Sequence, residues 1–548
     1  MIRTIPWLLA AVCSVTLATA SAQETEYREA LRIEIEQLRE TGRLSIGGVD
    51  IAAGNLLAQI YEQREFSPAW SDDDKIGDLI TAIRGAFADG LDPADYHLEK
   101  IEYVYGELGA GRILTPMERA ALDLMLTDSL IRWAYHQRFG KVNPQSLDSG
   151  WNFRRELNNR DPAAVVQEAI NSLSPTRFLA SFFPRGWVYT QLQAGLGNYR
   201  QIAAAGGWPS VPDGPTLRPD AADERLDTLA TRLAITGDLE GLDGLVPFPV
   251  YDESLQEGVR RFQSRHGLDA DGIVGPATLR ALNVPVEQRV DQLRLNLERA
   301  RWVLGDIEED FVVVNIAGFR AYVVHDREIV WETKVQVGRP YHQTPVFRDE
   351  IQYVVFNPTW TVPYSIATNE MLPRIKSDPQ YFQTRDFDIK NRDGQLVDPA
   401  TIDWAQVTPR GFGYTFVQRP GPDNALGRVK FIFPNDYAVY LHDTPSKPLF
   451  DRAERAFSHG CIRVENPFDL AEILLGSDGW DRELIDATIE SGETKTVFLS
   501  EPLPVLLLYW TAEVDPDGLV HFYNDVYERD QRIALALDAP FTIELPEI

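Results

Sequence analysis

Two cysteines and four methionines in 548 residues leave this chain almost without sulfur. Cys13 lies in an apolar N-terminal stretch and Cys461 stands alone in the remainder, so without that stretch no disulfide can form within the chain. A closed zinc site wants four ligands, and a second nearby cysteine is missing, so no metal is expected. Cations are scarce as well: 53 Lys and Arg stand against 82 Asp and Glu, a formal net charge of −29. That balance excludes nucleic acid and anionic membrane as main partners. Long apolar runs are also absent after the N-terminus. PLPVLLLYW, residues 502–510, is too short to span a bilayer and reads as a buried strand.

The N-terminus reads as an export signal over residues 1–22. Arg3 gives a positive start, Ile5 to Leu17 is largely apolar, and Ala20-Ser21-Ala22 supplies small residues for cleavage after Ala22, which removes Cys13. Val12 stands before Cys13 where a lipoprotein signal needs a small residue, which disfavours a lipid anchor. The rest of the chain is globular by composition, 44% hydrophobic and 25% charged over the whole sequence, and too long for one core.

Residues 23–248 read as a helical scaffold. Leu122, Leu126, Leu130 and Trp133 form a core-facing stripe, and Trp70, Trp133 and Trp151 read as packing residues. GGWPSVPDGPTLRPD, residues 206–220, reads as a loop or linker. Residues 249–285 hold a compact unit in which Leu255, Val259 and Phe262 share a helical face, turns come at Asp271-Gly272 and Gly275-Pro276, and Leu279 with Leu282 opens a short helix. The elements FQ, HGL, DGIVG, T and AL, in that order within Tyr251–Pro285, resemble the type 1 peptidoglycan-binding module. The plainer alternative is a structural spacer.

A linking helix, 286–309, carries Val290, Leu293, Leu297 and Leu304 on one side. β-Branched and aromatic runs then extend from FVVVNI to AVYLH, the signature of a mainly β domain over 310–497. An insertion, about 363–425, with a helical piece at Ala367–Ser377 is expected to lie over the sheet, and 498–548 reads as a C-terminal extension packed on the fold. The fold class is multidomain α+β.

Chemistry concentrates at SHGCIRV, Ser458–Val464, with Cys461 nineteen positions beyond His442. A thiol attacks as thiolate, and a neighbouring histidine raises that fraction and returns the proton to the leaving group. Two histidines compete. His459 shares a face with Cys461 if the stretch is extended, whereas His442 closes the predicted strand AVYLH and reaches Cys461 only through the fold. His97, His136, His266, His325, His342 and His521 are assigned to surface or packing.

HDTP at 442–445, the fifteen residues Asp443–Phe457, and then SHGC resemble the active-site signature of the L,D-transpeptidase (YkuD) catalytic domain, as does VGRPYHQTP at 337–345. NPTWTVPYSI from Asn357, NALGRVKFIFPN from Asn424 and GGWP at 206–209 are similar to its large multidomain, YcbB-like branch, in which a scaffold precedes the module and a helical insertion caps the site. The resemblance implies that Cys461 is the nucleophile and His442 the base, oriented by the Asp443 carbonyl. Ser458 and His459 are accessory, and N–H groups around Gly460 and Cys461 form an oxyanion hole. Arg463 either anchors a substrate carboxylate or makes an ordinary structural salt bridge. It further implies 3-3 crosslinking of peptidoglycan through a thioester, without a cofactor, and acylation of the thiol by carbapenems. The partners implied are stem peptides and glycan, with other cell-wall synthesis enzymes, in a Gram-negative periplasm. Hydrolysis by the same pair, another acceptor amine, and a non-catalytic wall-binding scaffold remain as alternatives.

Overall fold

A computed structural model describes residues 6–541 except 47, 149–150, 154–156, 158–159, 185, 241–247, 379 and 383–384. Of the expected export signal, residues 1–5 and the side chains of 6–22, Cys13 included, lie outside the described residues. Among the described residues no helix is long and apolar enough to cross a membrane.

The N-terminal region is built round the helix Pro116–Phe139. Thr115 and Glu118 close its first turn in a reciprocal capping box, with Pro116 at the first helical position. The expected stripe is buried, and so are Asp123, Thr127, Asp128, Ser129 and Arg132 on its other sides. Burying a carboxylate costs several kcal/mol unless it is hydrogen-bonded. Asp123 accepts from the Tyr27 and Tyr61 hydroxyls and from the N–H groups of Ala69 and Trp70. Asp128 accepts from the Ala53 N–H and pairs with Arg132 and His97. The helix is therefore central to its domain, which an apolar stripe alone understates. A small ladder, β1 (Ser45–Ile46) and β2 (Val49–Asp50), flanks it.

The peptidoglycan-binding-like unit is larger than its motif. Leu255, Val259 and Phe262 on the helix Glu253–Arg265 pack with Leu226, Leu229 and Leu233 of a preceding helix, and with Val211 and Leu217 of the stretch expected to be a linker. Leu217 bridges to Val274, so the Gly- and Pro-rich segment is an integral edge of this core. The motif is held by one amide: Gln263 donates to Asp271, the Ile273 carbonyl and Thr278, and accepts from the Gly272 N–H. The helix Val286–Val303 then links the units. Glu298, on this helix, accepts from the Val142 N–H, and Asn296 exchanges bonds with Thr511.

The C-terminal part is a nine-stranded mixed sheet. Its strands are β3 (Phe311–Asn315), β4 (Arg320–His325), β5 (Glu328–Gly338), β6 (Phe347–Phe356), β10 (Val429–Ile432), β11 (Leu441–His442), β12 (Ala456–Ser458), β13 (Ile462–Val464) and β14 (Lys495–Leu508). Their order is β12-β5-β13-β11-β10-β6-β14-β3-β4, and β4 pairs again with β5, so the sheet curls back on itself. The expected boundary at 497 falls within β14. β14 continues to Leu508 and lies between β6 and β3, because its second half, with Val505 to Leu508 almost fully buried, supplies central core strand. The rest of the C-terminal segment, with β15 (Ala512–Val514) and β16 (Val520–Phe522), packs against the helices Trp187–Ala204 and Val286–Val303; residues 542–548 lie outside the described residues.

The insertion is a mixed cap rather than a helical one. Its helical piece, Tyr364–Ser377, is joined by a three-stranded sheet, β7 (Trp360–Thr361), β8 (Phe387–Lys390) and β9 (Thr415–Gln418), around a separate core that includes Met371, Tyr381 and Phe416. Two buried asparagines secure its ends: Asn357 donates to the Thr488 and Ile489 carbonyls, and Asn424 to those of Pro358 and Arg419.

Candidate active site

The register of the sheet assembles the site. Lys430 on β10 pairs with His442 on β11, His442 with Arg463 on β13, and Arg463 with Gln336 on β5, so these four side chains form a row across one face. Leu441, Phe431 and Ile462 point the other way into the core. Because faces alternate, Cys461 and Tyr440 lie one step along on the same side as the row. β11 and β13 are parallel, and the chain crosses between them through Asp443–Phe457.

His442 is buried, and its Nδ1 donates to the Asp443 carbonyl at 2.5 Å, which leaves Nε2 without a proton. Burial, with the Arg463 cation nearby, pushes its pKa down to about 3, although the carbonyls of Asp443 and Leu426 favour the protonated ring. The Asp443 carboxylate is itself held by the Arg428 N–H and Lys447. Half-buried Cys461 places Sγ 3.7 Å from the Ala438 carbonyl. Burial pushes this thiol up, while Tyr440, Lys430 and Arg463 pull it back. Thiol and imidazole share the face without a direct hydrogen bond, and such contacts often tighten only when substrate is bound.

Ser458 shapes the bend before the thiol, donating to the Cys461 carbonyl at 2.6 Å and accepting from the Gly460 N–H at 3.1 Å. Gly460 has φ +117°, open only to a residue without Cβ. Two expectations change. The Gly460 N–H is already occupied by Ser458, so of that pair only the Cys461 N–H remains as an oxyanion donor. The stretch is bent at His459-Gly460, so His459 does not share the thiol's face; its Nε2 meets Glu370 of the cap at 2.5 Å.

Arg463 donates to the neutral Gln336 side chain, its Nε has no partner, and among the described residues it makes no ion pair. The structural salt bridge is therefore not what occupies it. His342, expected on the surface or in packing, is exposed, yet its ring lies 4.9 Å from that of His459. His97, His136 and His266 are buried or bonded within the N-terminal region and the module, and His325 and His521 pair with aspartates away from Cys461.

The motif reading missed Tyr440, two places before His442, and Lys430, which comes beside His442 only through the β10–β11 register; the Lys430 ammonium sits 3.7 Å over the Tyr440 ring. It also missed Tyr527. That hydroxyl donates to the Gly338 carbonyl and accepts from the Thr344 N–H, while the Thr344 hydroxyl donates to the Gly460 carbonyl. A chain of three bonds thus carries support from the C-terminal segment to the bend beside the thiol.

Comparison with known families finds three matches along the chain. Residues 309–493 match the L,D-transpeptidase catalytic domain (YkuD), 224–282 the "Putative peptidoglycan binding domain", and 55–196 the scaffold domain. The chain carries an L,D-transpeptidase catalytic domain and a peptidoglycan-binding domain behind a helical scaffold. A Haemophilus influenzae protein named "Putative L,D-transpeptidase" is 36% identical over 245 residues, which cover 45% of this chain and 49% of that protein. The match thus spans about half the length of that relative. Among solved structures, an L,D-transpeptidase from Mycobacterium smegmatis is 13% identical over 36% of this chain and 58% of its own, with a TM-score of 0.18. A mutant Enterococcus faecium L,D-transpeptidase is 11% identical over 58% of this chain and 100% of its own, also at 0.18. Likeness at these scores adds nothing to the site geometry.

Proposed function

We propose that this protein is an exported L,D-transpeptidase that forms 3-3 crosslinks between peptidoglycan stems, with Cys461 as nucleophile and His442 as base. The observation that carries this reading is the pair of parallel strands that sets a bare imidazole nitrogen and a lone thiol on one face, between the cations Lys430 and Arg463.

At rest both groups are neutral, His442 because burial holds its pKa low and Cys461 because burial holds its thiol pKa high. A stem carboxylate seated on Arg463 would offset the cation that depresses His442 and make the imidazole a better base. The thiol proton passes to Nε2 as sulfur attacks the carbonyl of the third, L-centred residue of a tetrapeptide. The Cys461 N–H supports the oxyanion; such a donor is typically worth about 3 to 4 kcal/mol. The imidazolium then returns the proton to the departing D-alanine nitrogen as the C–N bond breaks, leaving a thioester. An amine of a second stem attacks, its proton goes to His442, and the thiolate leaves. The chain's own residues supply each proton transfer in this sequence.

The test is mature protein incubated with disaccharide tetrapeptides and products weighed by mass spectrometry. Crosslinked dimers lacking one D-alanine support the proposal. Tripeptides alone would indicate a hydrolase, and unchanged substrate a wall-binding scaffold.

A further inference from the structure

Glu370 reaches out of the cap to a residue 89 positions away, His459, two places before the thiol. It lies in Ala367–Met371, where the cap helix widens into a π-turn between Tyr364–Ile366 and Leu372–Ser377. Such a turn re-aims side chains relative to a regular helix and is frequent at functional sites. Ala367 and Met371 on this turn are buried in the cap core, whereas the Glu370 side chain is 39% exposed and belongs to no core. His459 is equally uncommitted to packing, at 29% exposure, and stands between the carboxylate and the ring of His342. Three elements thus meet beside Cys461: the cap, the β12–β13 bend and the β5–β6 turn. The last two are locked to one another by Thr344, which donates to the Gly460 carbonyl and accepts from the Gly338 N–H. Glu370 and His459 join the cap to that locked pair.

An exposed carboxylate–imidazole contact contributes at most about 1 kcal/mol, so this one matters little to global stability. Its placement matters more, since it ties a lobe with its own core to the bend that carries the nucleophile. We infer that Glu370 and His459 form the clasp that seats the cap beside Cys461, which makes Glu370 a positioning residue for the peptide donor. The inference rests on the transpeptidase reading for its substrate but not for its mechanics.

Glu370→Ala should raise the KM for a tetrapeptide donor roughly fivefold, the equivalent of about 1 kcal/mol, with kcat little changed. Backbone hydrogen exchange over 364–377 should accelerate in the same variant, while alkylation of Cys461 by iodoacetamide keeps its rate. Glu370→Gln, which retains an acceptor oxygen, should recover most of the KM. In a His459→Ala background Glu370→Ala should add nothing, because the two would act through one contact. Unchanged exchange in Glu370→Ala, or additive effects in the double variant, would overturn the clasp. If the wild-type protein turns over no tetrapeptide, the functional reading fails, yet the exchange measurement still decides on the clasp.

Discussion

The Cys461 face and the peptidoglycan-binding module both carry recognisable motifs, and they treat their polar atoms in opposite ways. In the module, Gln263, Asp271, Gly272 and Thr278 satisfy one another, so the motif residues spend their hydrogen bonds on the fold. On the catalytic sheet, the Arg463 Nε is buried without a partner, the His442 Nε2 carries no proton, and the thiol leans on a distant carbonyl. Buried polar groups left short of partners cost about 1 to 3 kcal/mol each, and a fold that keeps them holds something in reserve for a ligand. A motif whose residues satisfy each other reports architecture, whereas one that leaves them unsatisfied reports chemistry.

The contrast can be broken most sharply at Cys461, the proposed nucleophile. Cys461→Ser should reduce crosslinking of tetrapeptides by at least about 10³-fold while the melting temperature stays within a few degrees, measured by product mass and by calorimetry. His442→Ala should come next with a loss of roughly 10² to 10⁴-fold; a greater loss in His459→Ala would reassign the base. For Arg463→Ala, steady-state kinetics should give a KM raised on the order of 10- to 100-fold, as for a lost charge-assisted hydrogen bond. The module should respond in another currency. Gln263→Ala should destabilise it by about 1 to 3 kcal/mol in urea unfolding, leaving turnover of short, soluble substrates unaltered. A further effect is in pH. The folded pKa of His442 is depressed to about 3, below the ordinary imidazole value, so its contribution to stability is present above that ordinary value and is lost as pH falls toward 3. Melting curves should therefore show a smaller acid destabilisation in His442→Asn than in the wild type over that window. Alkylation of Cys461 should rise with pH through a midpoint above the usual thiol range, since burial raises that group.

Much of this was legible in the chain. SHGC with HDTP pointed to the thiol and the imidazole, and the alternating runs pointed to a mainly β domain. Lys430 was invisible because its role comes from lying opposite His442, and which strands pair is not written in either strand. The bend at Gly460 is not legible in the chain, since nothing local announces that the Ser458 hydroxyl will take the Gly460 N–H. The bound at 497 falls inside β14, whose register shifts between Phe498 and Leu503 before pairing with β6 resumes. The cap strands are only two to four residues long, too short for alternation to register against the turn residues round them. The buried carboxylates of the helix Pro116–Phe139 hid its centrality, as a polar residue counts as surface until its partners are known.

One consequence of the parallel pairing of β11 with β13 concerns tolerance to insertion and deletion. Because Leu441 and His442 alternate faces opposite Ile462 and Arg463, losing one residue from either strand would turn leucine or isoleucine onto the Cys461 face and send the His442 imidazole or the Arg463 cation into the core. In the crossover only residues 444–455 escape such a parity rule, because Ala456 and Phe457 already belong to β12, which pairs with β5. The middle of the crossover, the short turn Lys447–Asp451, can change in length while the strand ends stay put, provided Asp443 keeps its bonds to Arg428 and His442. Length variation among related chains should therefore collect in the crossover and stop abruptly at the two strands, so that the site is inherited as a count of residues more than as the shape of a loop.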